Sequence, residues 1–186
     1  MNWISFAVLV WLFTGLDVGF RETFQVGHLA IAPSFVPLLA VFLALWAPSV
    51  HAAGACLVAG LIMDVTHTVP TESGHAVTVV GAYGLGYLAA CAMVLNFRSI
   101  LLRRNPVTFV ALAVVFAAIT ELVQFTFLRV RSGYDELVLL GVGMDLAQRG
   151  GSVVLTGVAA VIVGPVLSFV SPALSLEGGM HGGRRW

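Results

Sequence analysis

A chain of 186 residues that is 59% hydrophobic and 10% charged, with a mean hydropathy of +1.00, has too little charge to cover a water-facing surface; a soluble domain carries about 25% charged residues. Its nine basic residues are all arginine and are matched by nine acidic ones, so the formal net charge is +0 and no basic surface suggests nucleic acid. Composition excludes a set of soluble domains and points to an all-α, polytopic membrane protein with the bilayer as its main solvent.

A helix needs about 20 residues to cross about 30 Å of hydrocarbon, and six stretches qualify. The first, 3–20, lacks the basic start and small-residue cleavage site of a signal peptide and is expected to stay as a helix; Asp17, Arg21 and Glu22 close it. Asn2 stands where myristoylation would need glycine. The second, 29–47, contains Pro33 and Pro37, which predict kinks or broken turns. Pro48 separates it from the third, 49–69, and Pro70, Thr71, Glu72, Ser73 and Gly74 make a polar turn. The fourth, 76–95, ends in the basic loop 96–105. Pro106 opens the fifth, 106–128, at a position where its missing N–H costs nothing.

Residues 137–148 are too short to span and end polar, so they read as an interfacial helix on the outer surface. A longer sixth span starting near Leu137 is the alternative, and it would place Asp145, Gln148 and Arg149 in lipid, which is expensive. The sixth stretch, 152–171, carries Pro165, which likewise predicts a kink or broken turn. The expected organisation is a six-span transmembrane domain over 1–171, with the interfacial helix near 137–148, and a flexible, Gly-rich cytoplasmic tail over 172–186.

Orientation rests on arginine bias. With six spans, Arg98, Arg103, Arg104, Arg184 and Arg185 share the side of the termini, and Arg21, Arg129, Arg131 and Arg149 the other. Glu22, Glu72, Asp135, Glu136 and Asp145 offset the second set, whereas the 96–105 loop is purely basic. Both termini are therefore expected in the cytoplasm.

That topology puts three carboxyl groups at similar depth in the outer leaflet. Asp17 reads as an interfacial residue near Arg21. Asp64 and Glu121 lie roughly 7.5 and 10 Å from the outer ends of their spans and must pair with arginine, reach water, face the interior or be protonated. His67 shares a helical face with Asp64. Together with His75 these two make a weak alternative metal set, with a satisfied interfacial histidine the preferred reading. Cys56 and Cys91 fall in apolar runs and read as small hydrophobes. Small residues recur in the third and fourth spans, with Ala82, Gly86 and Ala90 at the small-xxx-small spacing of close helix contacts. That face serves either packing within the chain or a partner helix, and Tyr83 and Tyr87 lie on it one turn apart. No Gly-x-Ser-x-Gly, His-Glu-x-x-His or P-loop occurs, so neither catalytic residues nor a cofactor are expected.

Residues 29–131 resemble the rod shape-determining protein MreD family. The features are the Pro-initiated second span Ala-Pro-Ser-Phe-Val-Pro-Leu-Leu-Ala (32–40), a third span ending Ala-Gly-Leu-Ile-Met-Asp (59–64) with Gly60 and Asp64 in the family's Gly-x-x-x-Asp pattern, and a turn with Gly74 before a span bearing Tyr87. A basic loop ending Arg-Arg-Asn (103–105) then precedes a span with an acidic residue, Glu121. The stretch 65–74 departs from the family's Gly/Ser-rich turn. The resemblance implies a non-catalytic protein of the bacterial inner membrane that supports cell shape and lateral peptidoglycan synthesis. Its implied partners are MreC, the RodA glycosyltransferase, the elongation class B penicillin-binding protein and MreB. It also implies an architecture like that of the substrate-binding subunits of energy-coupling-factor transporters. The competing expectation is a small-molecule- or metal-binding transporter subunit, motivated by Asp64, His67 and Glu121.

Overall fold

The computed structural model describes residues 2–23, 31–71, 75–98, 106–135, 137–138 and 141–170. Gly74, Arg103, Arg104 and the 172–186 tail lie outside the described residues. Among the described residues the regular structure is helical apart from one short hairpin. Its elements are α1 (Trp3–Thr23), α2 (Val36–Trp46), α3 (Ser49–Thr66), β1 (Thr68–Pro70), β2 (Ala76–Thr78), α4 (Ala82–Phe97), α5 (Pro106–Arg131) and α6 (Val142–Val170). Four helices, α1, α3, α5 and α6, are long and apolar enough to cross a membrane, as a multi-pass protein requires. Apolar side chains stay exposed along their outer faces, among them Trp11 on α1, Leu61 on α3 and Val154, Val158 and Ile162 on α6.

α2 forms the axis of the bundle. Every residue from Val36 to Leu45 is buried, and the helix touches α1, α3, α4, α5 and α6. A helix that is apolar on all sides is stable only when surrounded, and here the surroundings are protein. With 11 residues α2 is roughly 17 Å long, about half the hydrocarbon thickness. This is shorter than the 29–47 span expected from hydropathy. A backbone that ends its helix inside a bundle must find its hydrogen bonds within the protein. At the C-terminal end Arg98 supplies them: its Nη1 donates to the carbonyls of Ala47 at 2.9 Å and Ala44 at 3.4 Å, where a cation also complements the helix dipole. Arg98→Ala is expected to lower stability by about 2 kcal/mol, with Arg98→Lys recovering part of it, as read by thermal unfolding in detergent.

Four expectations about boundaries need correction. Pro37 produces no kink, because it lies in the first turn of α2 where no intrahelical bond is lost; Pro33 precedes the helix altogether. The fourth span does not begin at 76. Residues 76–78 are β2, paired antiparallel to β1 in the register Thr68↔Thr78, Val69↔Val77 and Pro70↔Ala76. The third span stops at Thr66 for the same reason, since 68–70 belong to β1. Finally, 137–148 does not form a separate helix. Leu137 bridges to Thr71, the Val138 N–H donates to Pro70 O at 3.0 Å, and from Val142 the chain is already in α6, which runs unbroken through Pro165. The longer sixth helix prevails because its polar residues find partners, as described next.

Candidate functional site

Polar side chains collect at the hairpin end of the bundle, where α1, α3 and α5 finish and α2, α4 and α6 start. Two of the starting helices lack a side-chain cap of their own. α4 begins after Gly81, held at φ 105, a left-handed conformation that glycine adopts without strain. Its orphan N–H groups are met by Asp64 from α3: Oδ2 accepts from Gly81 N at 2.8 Å and Gly84 N at 3.1 Å, and Oδ1 from Tyr83 N at 2.7 Å. Asp64 is 1% exposed. A carboxyl group at a helix N-terminus also complements the positive end of the dipole.

Gly60 lies one turn before Asp64 and makes this reach possible. A Cβ built there would stand 2.8 Å from Gly84 Cα and 2.9 Å from Tyr83 O. The Gly-x-x-x-Asp spacing thus works as one bracket, the glycine admitting the first turn of α4 and the aspartate capping it. Gly60→Ala is expected to force the α3 and α4 backbones apart and cost about 1–3 kcal/mol. Thermal unfolding of the purified variant reads this, and an unchanged midpoint would refute the close-approach argument.

α2 is treated the same way by α1. Asp17 accepts from the Phe35 N–H, from Val36 N at 3.3 Å and from Ser34 Oγ at 2.9 Å, while Thr156 of α6 accepts from Ser34 N at 3.0 Å. Asp17 is 6% exposed. Beyond the interfacial position expected for it, Asp17 is a buried cap on the start of α2.

The third cluster joins α5 to α6. Arg149 donates through Nη1 to Glu121 Oε2 and Gln124 Oε1, both at 2.6 Å, and through Nε to Asp145 Oδ1 at 2.7 Å. Arg129 reaches Asp145 Oδ2 at 3.3 Å. The Phe125 ring lies 5.2 Å from the Arg129 guanidinium and 5.9 Å from that of Arg149, within cation–π range. These pairings answer the objection to placing Asp145 and Arg149 in a long α6.

The remaining sequence candidates fall into place around these brackets. Ala82 packs in a small cluster with Val79 and Leu128. Gly86 lies against Thr120 of α5, where a Cβ would stand 3.1 Å from the Thr120 carbonyl. The Ala82–Gly86–Ala90 face is buried inside the chain. Tyr87 is fully buried, its ring edge-on to Phe116 with centroids 5.4 Å apart. The His67 ring lies tilted against Tyr83 with centroids 4.8 Å apart, and its Nδ1 lies 2.9 Å from Met63 O. Asp64, His67 and His75 do not form a metal site: both Asp64 oxygens serve the α4 backbone, and no group of three potential ligands converges among the described residues. Both cysteines are free and buried.

Two adjacent cavities occupy the centre of this end. One, of about 20 Å³, is lined by residues that include Tyr87, Thr120 and Thr156; the other, of about 40 Å³, includes Asp17, Pro33 and His67. Ser34, Tyr83, Glu121 and Ser152 line both. Sequence reasoning missed Ser34, Thr120, Gln124 and Ser152, single polar residues in apolar runs with no spacing to mark them. It also missed Asp17 and Arg149 as paired, although helices without a local cap signalled the need for remote ones. The cavities are smaller by roughly tenfold than sites for metabolite-sized ligands. No family model, curated protein or solved structure matches the chain.

Proposed function

We propose that this chain is a non-catalytic integral membrane component of the bacterial cell-elongation complex, of the kind the MreD resemblance implies. In this reading it lies in the inner membrane as a six-helix bundle with both termini cytoplasmic and the hairpin end facing outward, and it supports lateral peptidoglycan synthesis by holding partner membrane proteins. The observation that carries the reading is the Gly60–Asp64 bracket. Two of the residues on which the resemblance rests, Gly60 and Asp64, meet in one clamp on α4, and the clamp is architectural: its carboxyl group is committed to backbone N–H groups. MreC is the first expected partner, with RodA, the elongation class B penicillin-binding protein and MreB in the same assembly.

The test is to tag the protein, cross-link native membranes and identify what co-purifies, alongside depletion. Recovery of MreC with RodA or the penicillin-binding protein, and loss of rod shape on depletion, is the expected result. Normal shape with no elongation component recovered would overturn the proposal. Recovery of ATPase and coupling subunits would favour the transporter reading. The polar cavities at the hairpin end speak for that reading and their size speaks against it.

A further inference from the structure

Tyr87 and Thr120 pose a hydrogen-bonding problem that the described residues do not solve. Tyr87 is 0% and Thr120 2% exposed, and neither Tyr87 Oη nor Thr120 Oγ1 has a partner among them. Burying a hydroxyl without a partner costs about 1–3 kcal/mol on mutational scales, and two such groups on neighbouring helices double the problem. Both line the smaller cavity. Its volume of about 20 Å³ exceeds the roughly 10–15 Å³ that one water requires. Its walls are also polar enough: besides the two hydroxyls they carry Ser34, Ser152, Thr156 and Glu121. Purely apolar voids of this kind stay dry, whereas a site offering two to four polar partners holds water. The adjacent cavity of about 40 Å³ continues the polar lining to Asp17 and His67.

We infer that the paired cavities are a built hydration site, in which ordered water bridges Tyr87 Oη and Thr120 Oγ1 to the Ser34, Ser152 and Glu121 side chains and so ties α4 and α5 to the start of α2 and to α6. The ligand class is water, one molecule in the smaller cavity and a short file in the larger. The site gives the central helix a hydrogen-bonded rather than a purely apolar seat at its N-terminal end.

Microsecond hydroxyl-radical footprinting of the full chain in lipid nanodiscs tests this, because radicals formed from bound internal water label the side chains beside it. Phe116 is the internal control: it is equally buried and touches the Tyr87 ring but lines neither cavity. Tyr87 is expected to be labelled several-fold faster than Phe116, and Tyr87→Phe and Thr120→Val are each expected to lower the unfolding midpoint by a few degrees, since a water left short of a partner is worse than the intact network. Labelling of Tyr87 no faster than Phe116 would overturn the inference. So would a midpoint that is unchanged or raised in both variants, the result expected of hydroxyls facing a dry void.

Discussion

Asp64→Ala will cost the protein about 4 kcal/mol and, in cells, most of its accumulated protein. The arithmetic starts from three backbone N–H groups at Gly81, Tyr83 and Gly84 that share one carboxyl group. Tyr83 and Gly84 are buried, and each buried donor left unmade costs about 1–3 kcal/mol. No residue of α4 can take over, because its cap position is Gly81, which has no side chain. The loss also removes the charge that complements the α4 dipole, worth up to about 2 kcal/mol in partly buried geometry. Asp64→Asn separates the contributions. An amide keeps one acceptor oxygen and turns its NH₂ toward donors, so the asparagine variant should fall between alanine and wild type. Thermal unfolding in nanodiscs measures both. An Asp64→Ala midpoint within about 2 °C of wild type would show that the bracket is dispensable. With about 5–15 kcal/mol of total stability in a typical domain, a loss near 4 kcal/mol raises the unfolded population about a thousandfold, which explains the expected loss of protein.

The same bracket shows what could be read from the sequence. The four long helices were legible because bilayer-spanning apolar runs are a strong, local signal. Gly60 and Asp64 were marked as a pair only by the MreD resemblance, and their shared target, the first turn of α4, was not legible at all. The short axial helix was misjudged for a physical reason. Hydropathy reports how apolar a stretch is and says nothing of whether lipid or protein surrounds it, so α2, apolar on every side, read as a full span with flanking residues added. The fourth span was overextended because Ala76, Val77 and Thr78 are apolar or neutral enough to continue a helix on paper, while their partner strand lies before the turn. The capping role of Asp17 was missed because its carboxyl group answers a need eighteen residues ahead: Phe35 at the start of α2 cannot cap. Helix starts occupied by phenylalanine, proline or glycine, as at Phe35, Pro48 and Gly81, are the sequence trace of such debts, and the nearest intramembrane carboxyl group is the place to look for the remote cap.

Arg149→Met should be the second most damaging single change, because one guanidinium serves three acceptors. Methionine keeps the unbranched apolar stem and removes the charge, so packing along α6 is largely retained. Glu121 and Asp145 then lose their strongest partner. Asp145 still has Arg129 at 3.3 Å, whereas Glu121 loses its 2.6 Å ion pair. Removing one member of a buried ion pair typically costs 3–5 kcal/mol. Here the side chains of Arg149, Glu121 and Asp145 keep 15%, 23% and 12% of their exposure, and screening reduces the expected loss to about 2–4 kcal/mol. The loss should be local before it is global: α6 would fray from Val142 to about Arg149, and hydrogen exchange of those amides should rise while Thr156 to Leu167 stays protected. Adding Glu121→Gln to Arg149→Met should recover much of the stability, since Asp145 keeps Arg129 as its partner and the neutral amide at 121 no longer needs the lost guanidinium. If the double variant is no more stable than Arg149→Met alone, the cost lies in lost hydrogen bonds rather than in unpaired charge. If Arg149→Met itself exchanges like wild type across 142–149, the start of α6 does not depend on the cluster, and the reason offered here for a continuous sixth helix falls with it.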